Sequence, residues 1–192
     1  MFRRLGISVY PDNSVFEEDL AYITFAKAQG FELIFMSMLE VTQGKAAVAE
    51  KFSKIISAAK KLGYEVILDI APNIFDELQI SYDDLSFFAE LSADGLRLDA
   101  GFDGNKEAKL SLNPYGLIIE LNMSNDVAYL DNILTYEANE PYIYGCHNFY
   151  PQEGSALPLA FFNSCSKRFK KHGIRTAAFV SSQVATGGPW DI

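Results

Sequence analysis

Residues 116–125 read GLIIELNMSN. Leu117 to Leu121 is an apolar run broken only by Glu120, and Asn122, Ser124 and Asn125 follow it. A short apolar run that opens into polar residues fits a buried strand whose C-terminal end meets a site. A carboxylate inside such a run is costly to bury unless it is paired or does chemistry. Glu120 therefore asks for a partner. The same form recurs along the chain, and that recurrence decides the fold.

Upstream, residues 4–10 (RLGISVY) read as a first strand, stopped by Pro11 and Asp12. Ser14 with Glu17 three residues on is a capping-box pattern for a helix that runs to about Gln29 and stops at Gly30. Residues 31–38 (FELIFMSM) are the second strand. A helix over 44–62 ends in Lys60 and Lys61, with Gly63 after it. Residues 64–70 (YEVILDI) are the third strand, which Pro72 ends. Ser81 reads as the N-cap of a helix through Leu91, with Asp83 and Asp84 in its first turn. Residues 95–99 (GLRLD) are the fourth strand, and 105–110 is at most a short helix.

Downstream of the fifth strand at 116–123, a helix is expected over 126–137 and a sixth strand over 142–149 (YIYGCHNF). A helix over 159–172, closed by Gly173, precedes a seventh strand at 175–181 (RTAAFVS). Strand and helix alternate seven times at roughly 25-residue spacing, which implies βα units and a parallel sheet. A doubly wound sheet would carry a glycine-rich fingerprint after its first strand. That position holds Tyr10-Pro11-Asp12-Asn13. A (β/α)8 TIM barrel instead places polar groups at the C-terminal end of nearly every strand. Ser8, Tyr10, Ser37, Asp69, Asp99, Glu120, Asn122, His147, Asn148 and Ser181 fit that rule. The expectation is one barrel domain over residues 1–192. About seven βα units are visible where a complete barrel takes eight strands and about 250 residues. Either the last unit lies outside this chain or the barrel is open, with two unpaired edges.

The 192 residues suffice for one sizeable core, and 49% are hydrophobic. A formal net charge of −9 argues against a nucleic-acid partner, which needs a basic face. Cys146 and Cys165 show neither metal spacing nor a disulfide framework. Both read as buried thiols. The apolar run before Pro11 is too short for a signal peptide or a membrane span. No membrane partner and a cytoplasmic location are expected.

Side chains two apart on a strand share a face. Arg97 pairs with Asp99 in this sense, Glu120 with Asn122 and, if the strand extends, Ser124, and Ile67 with Asp69. If the third to fifth strands are neighbours, Asp69, Asp99 and Glu120 gather at adjacent strand ends, about 4.8 Å apart. Carboxylates that close push one proton affinity up. A raised and an ordinary carboxyl side by side are the acid and the base or nucleophile of glycoside hydrolysis. Arg97 could hold one of them ionised. The plainer alternatives are that Arg97 neutralises Asp99 as a structural pair, and that Asp69 caps the following loop.

His147, Asn148 and Tyr150 offer an imidazole, an amide and a phenol suited to sugar hydroxyls or an anionic oxygen. A loop histidine in a turn is the alternative. Neither HxH nor HExxH spacing is present, so no cofactor or metal is expected. Ser181 and the glycines at 187–188 could offer groups to a phosphate after the seventh strand.

Five motifs in order, LGISVYP (5–11), GLRLDAGF (95–102), IELNMSN (119–125), GCHNFYPQ (145–152) and TAAFVSSQ (176–183), resemble one bacterial barrel family. It is the outer-surface-like family linked to the MupG-like 6-phospho-N-acetylmuramidases. The resemblance spans essentially the whole chain. It implies a cytoplasmic glycosidase of cell-wall recycling that acts on a phosphorylated amino-sugar disaccharide. It also implies a (β/α)8 barrel followed by a smaller cyclophilin-like β domain, which these residues do not include. Asp99, Glu120, Asn122, His147, Asn148 and Tyr150 fall inside the family's motifs. Two competing readings are a non-catalytic sugar-phosphate-binding barrel and a metal- or Schiff-base-dependent lyase. The second is disfavoured because no lysine stands at an expected strand end.

Overall fold

The structure, a computed structural model, describes residues 6–98, 110, 113–122, 142–145 and 177–179. Seven strands form one sheet: β1 (Gly6–Val9), β2 (Leu33–Ser37), β3 (Glu65–Ile70), β4 (Gly95–Leu98), β5 (Ile118–Asn122), β6 (Tyr142–Gly145) and β7 (Ala177–Phe179). They lie in sequence order, each parallel to the next. A doubly wound sheet reverses its order at a switch point; among the described strands the order never reverses. The chain is a singly wound parallel α/β fold.

Four helices are described: α1 (Phe16–Ala28), α2 (Lys45–Lys61), α3 (Pro72–Glu77) and α4 (Ser86–Glu90). In α2 the buried residues Val48, Phe52, Ile55, Ile56 and Ala59 recur at helical spacing, so one stripe meets the sheet. That stripe belongs to one core with one set of strand residues: Ile7, Val9, Ile34, Met36, Val66, Leu68, Ile70, Leu96, Leu98 and Ile119. The alternate residues, among them Phe35, Ile67, Asp69 and Arg97, are also buried but lie outside that core. Both faces of the sheet are therefore covered, which is why the strands read as near-continuous apolar runs.

Each described helix ends the same way. Gly30, Gly63, Gln79 and Ser92 have φ of 91°, 80°, 52° and 65°. Their N–H groups, and those of the residues after them, turn back onto the last-turn carbonyls. For α2 the bonds are Gly63 N–H to Lys60 O (2.9 Å) and Tyr64 N–H to Ala59 O (3.1 Å). This is the Schellman closure.

The helix starts differ from the sequence expectations. Ser14 does not cap α1: the residue before the helix is Val15, with no side-chain cap. The Ser14 hydroxyl instead lies 2.9 Å from the Tyr10 carbonyl and 2.7 Å from Asp19 Oδ1. The helix expected from Ser81 begins only at Ser86. Ser81 Oγ and Asp84 Oδ1 accept the N–H groups of Asp83 and Ser86, so these polar residues build turns ahead of the helix. Pro72 ends β3 and also opens α3, at a position where its missing N–H costs nothing. The helices expected over 126–137 and 159–172, and all but Leu110 of 105–110, lie outside the described residues.

Candidate active site

Three strands bring the central residues together. Asp69 stands in register with Arg97, and Arg97 with Glu120. The row continues to Ser37 on β2 and Tyr142 on β6. One layer below it run Ser8, Phe35, Ile67, Gly95 and Ile118. Gly95 is required there: a Cβ on it would lie 2.5 Å from the Ile118 carbonyl and 2.8 Å from Ile67 Cδ1. The close approach of β4 and β5 at this point fixes the neighbouring Arg97 beside Glu120.

Arg97 Nε donates to Asp69 Oδ1 at 2.8 Å, with the two side chains 4% and 2% exposed. The expectation that Arg97 serves a neighbouring carboxylate holds, and the partner seen is Asp69, across strands. The guanidinium also lies over the Phe35 ring, 3.8 Å from its centroid. An arginine head is planar and weakly hydrated, which suits it to an aromatic face in a buried site. Tyr10 meets the edge of Phe35, with centroids 6.4 Å apart.

The Tyr10 phenol is pushed above its ordinary value, chiefly by burial. A hydrogen bond from Ser8 and the Arg97 charge oppose that shift, and Asp69 adds to it. Tyr10 is thus a neutral phenol beside an ion pair, able to donate or accept a hydrogen bond. Ser8, Tyr10, Asp69 and Arg97 form one cluster at the C-terminal ends of β1, β3 and β4. Glu120 and Asn122 lie on β5, with Glu120 level with Arg97. Asp99, Ser124, His147, Asn148, Tyr150 and Ser181 lie outside the described residues.

Two residues that hold this region escaped the sequence reading. Phe35 looks like any apolar strand residue, and only the register shows it lies beneath Arg97. Asn113 is 8% exposed and uses its whole amide. Its Nδ2 donates to the carbonyls of Leu110 and Leu117, and its Oδ1 accepts from the N–H groups of Tyr115 and Leu117. That knot sets the entry of β5 and so the register of Glu120. The turn-like sequence Asn113-Pro114-Tyr115-Gly116 was the available signal. Among the described residues no helix is long and apolar enough to cross a membrane.

Known proteins share this fold. An uncharacterized protein of B. cereus, known from its crystal structure, is 55% identical over 100% of this chain and 51% of its own, with a TM-score of 0.71. A conserved protein of unknown function from Enterococcus faecalis is 23% identical over 91% of this chain and 47% of its own, with a TM-score of 0.67. This chain thus spans about half the length of those two proteins. The citrate synthase SbnG, at 14% identity and a TM-score of 0.65, covers 96% of this chain and 80% of its own, and shares the fold alone. No curated protein matches the chain. The 6-phospho-N-acetylmuramidase N-terminal family matches residues 5–192, and the chain belongs to that family.

Proposed function

We propose that the protein is a cytoplasmic glycoside hydrolase that cleaves a 6-phospho-N-acetylmuramic acid glycosidic bond in peptidoglycan sugar recycling. The scaffold for this reading is a (β/α)8 barrel with its site at the C-terminal face, seven of whose units lie in this chain. The observation that carries it is the row Asp69–Arg97–Glu120 across three adjacent strands, within a chain of this family. Two carboxyl residues stand level with Arg97, one on each neighbouring strand. Asp69 is engaged by Arg97, so it does not serve as the proton donor while that bond stands. Proton donation to the leaving oxygen falls to Glu120 or to Asp99, which directly follows β4 in the chain.

The separation of Glu120 from its partner carboxyl sets the stereochemistry. Asp69 and Glu120 are two strand spacings apart, about 9.6 Å along the sheet. A pair that wide leaves room for a water on the far face of the sugar and inverts the anomeric centre. Asp99, two residues past Arg97, would stand level with Asn122 if the register continues, diagonal to Glu120 at about 8 Å; side chains that close to about 5 Å would instead retain the anomeric centre through a glycosyl-enzyme intermediate. Ser8, Tyr10, Asn122, Ser124, His147, Asn148 and Tyr150 would hold sugar hydroxyls, and Ser181 would approach the phosphate. No cofactor enters the reaction.

The test is hydrolysis of a 6-phosphorylated disaccharide, with the anomer of the first product read by NMR. Glu120→Gln should lower kcat by at least about 100-fold, the usual contribution of a positioned acid or base. A Glu120→Gln variant that turns over like the wild type removes this assignment. Tight binding of the phosphorylated disaccharide without turnover by the wild type would favour the non-catalytic sugar-phosphate module.

A further inference from the structure

The turn after β1 runs Tyr10-Pro11-Asp12-Asn13 and closes with the Asn13 N–H donating to Tyr10 O at 2.9 Å. The Tyr10 carbonyl has a second lone pair. Ser14 Oγ stands 2.9 Å from that oxygen and 2.7 Å from Asp19 Oδ1. When Asp19 is ionised, both neighbours of this hydroxyl are acceptors, and a hydroxyl carries one proton. The shorter, charge-assisted bond to the carboxylate then takes it. Ser14 Oγ is left facing the Tyr10 carbonyl with no proton between the two oxygens. A protonated Asp19 removes that conflict. Its O–H donates to Ser14 Oγ, and the Ser14 proton goes to Tyr10 O. All three oxygens then stand in one chain of hydrogen bonds at the distances seen.

The surroundings favour the protonated form. Asp19 is 7% exposed, and burial pushes its carboxyl above the ordinary value. The Ser14 hydrogen bond opposes that shift, and the Glu18 charge adds to it. On α2, which packs beside α1, Lys51 pairs with Asp12 at 2.6 Å and Lys54 lies over the Phe16 ring. The Tyr64 phenol, just before β3, donates to the carbonyl of Ile23, one turn beyond Asp19. We propose that Asp19 and Ser14 are positioning residues for Tyr10: protonation of Asp19 frees the Ser14 proton for the Tyr10 carbonyl and fastens the turn that sets the Tyr10 phenol beside Phe35 and Arg97. The inference rests on the reading of Tyr10 as a residue that holds substrate, given above. It adds a proton-dependent hold on that residue.

The Tyr10 carbonyl reports its own hydrogen bonds through its 13C shift. With 13C in tyrosine carbonyls and 15N in proline, only Tyr10–Pro11 and Tyr150–Pro151 give coupled signals, and Tyr150→Phe removes the second. In the wild type the Tyr10 signal should move downfield as pH falls, with the same midpoint as the Asp19 carboxyl carbon. Asp19→Asn, whose amide donates to Ser14 at every pH, should hold the signal at its acid position. Ser14→Ala should hold it at the other. The kinetic arm uses a 6-phosphorylated disaccharide. Below the Asp19 midpoint, Ser14→Ala should raise KM about fivefold over the wild type, the loss of one neutral hydrogen bond, with little of the change in kcat. Above the midpoint the two KM values should converge.

A Tyr10 signal that stays put while Asp19 titrates overturns the proposal, because one proton is then shared between both acceptors. A signal that tracks Asp19 while KM in Ser14→Ala matches the wild type at every pH also overturns it, leaving a proton-sensitive turn with no bearing on substrate. A wild type that neither binds nor cleaves the disaccharide overturns the proposed function instead, and the carbonyl signal still decides the hold on Tyr10.

Discussion

Two ion pairs mark the two ends of this sheet, and they differ in everything except charge. Arg97–Asp69 lies at the C-terminal end of the strands, almost wholly buried, against the Phe35 ring. Lys60–Asp94 lies at the other end, where α2 finishes and β4 begins, with side chains 36% and 30% exposed. The exposed pair joins a structural knot. Asp94 Oδ2 also accepts the Val66 N–H at 2.7 Å, and the Asp94 backbone bonds to Val66 and Ile118. In a barrel the C-terminal face carries chemistry and the N-terminal face carries stability. The comparison gives that rule a physical form. The lower pair tethers a helix in a wet environment, and the upper pair keeps two charges dry.

Breaking the upper pair should have the largest effect. Arg97→Met leaves Asp69 buried without its charge partner and should cost about 3–5 kcal/mol in denaturant unfolding. The double variant Arg97→Met/Asp69→Leu should recover most of that loss, because an apolar pair of similar volume needs no desolvated charge. Hydrolysis should not recover with it. If stability and turnover return together, the ion pair is only a structural neutralisation. That outcome would make the two ends of the sheet alike.

The lower pair sharpens the contrast. Lys60→Ala removes a screened ion pair and should cost under about 1 kcal/mol, less in high salt. Asp94→Ala also strips the acceptor from the Val66 N–H and should cost about 2 kcal/mol, little altered by salt. Neither should change the pH profile of hydrolysis. An Asp94→Ala loss no larger than that of Lys60→Ala would mean the N–H bond contributes nothing beyond the ion pair.

The helix ends at this lower face show what the sequence could and could not reveal. Gly30 and Gly63 announced the ends of α1 and α2, because glycine takes positive φ without steric cost. Gln79 and Ser92 adopt the same closure after α3 and α4 with no such sign. Gln79→Gly and Ser92→Gly should each raise stability by up to about 1 kcal/mol, and Gly63→Ala should lower it by about 1–2 kcal/mol. A Cβ on Gly63 would meet nothing nearer than Lys27 Nζ at 3.8 Å, so backbone strain alone is measured. Unchanged melting temperatures would show that the positive φ is not costly at these positions.

The same limit applies to the site. The alternation of strand and helix was legible in apolar runs, and it put Ser8, Asp69 and Glu120 at expected strand ends with Arg97 one pleat deeper. Register was not, because a parallel strand pairs with residues tens of positions away and its own sequence does not name them. That is why Asp99 competed with Asp69 for Arg97, and why Phe35 and Asn113 went unread. The capping box at Ser14 failed for a related reason. A local pattern was outbid by Asp19, five residues on, which burial draws toward the same hydroxyl.

Asp19 gives the smallest predicted effect, and it is the converse of the upper pair: a buried carboxylate whose side-chain partner is a hydroxyl, that of Ser14. Its pKa is raised, mainly by burial and also by Glu18, against a lowering from the Ser14 hydrogen bond. A carboxyl raised in the folded state is relatively stabilising when protonated. That stability is present below the unfolded pKa and is lost as pH rises through the folded value. Asp19→Asn keeps the hydrogen-bond acceptor and removes the charge. It should therefore melt higher than the wild type at pH 7 and no higher at pH 3, where Asp19 is already neutral. Equal melting temperatures at pH 7 would show that Ser14 offsets the burial of this charge, and that a hydroxyl can do for Asp19 what Asp69 needs an arginine to do.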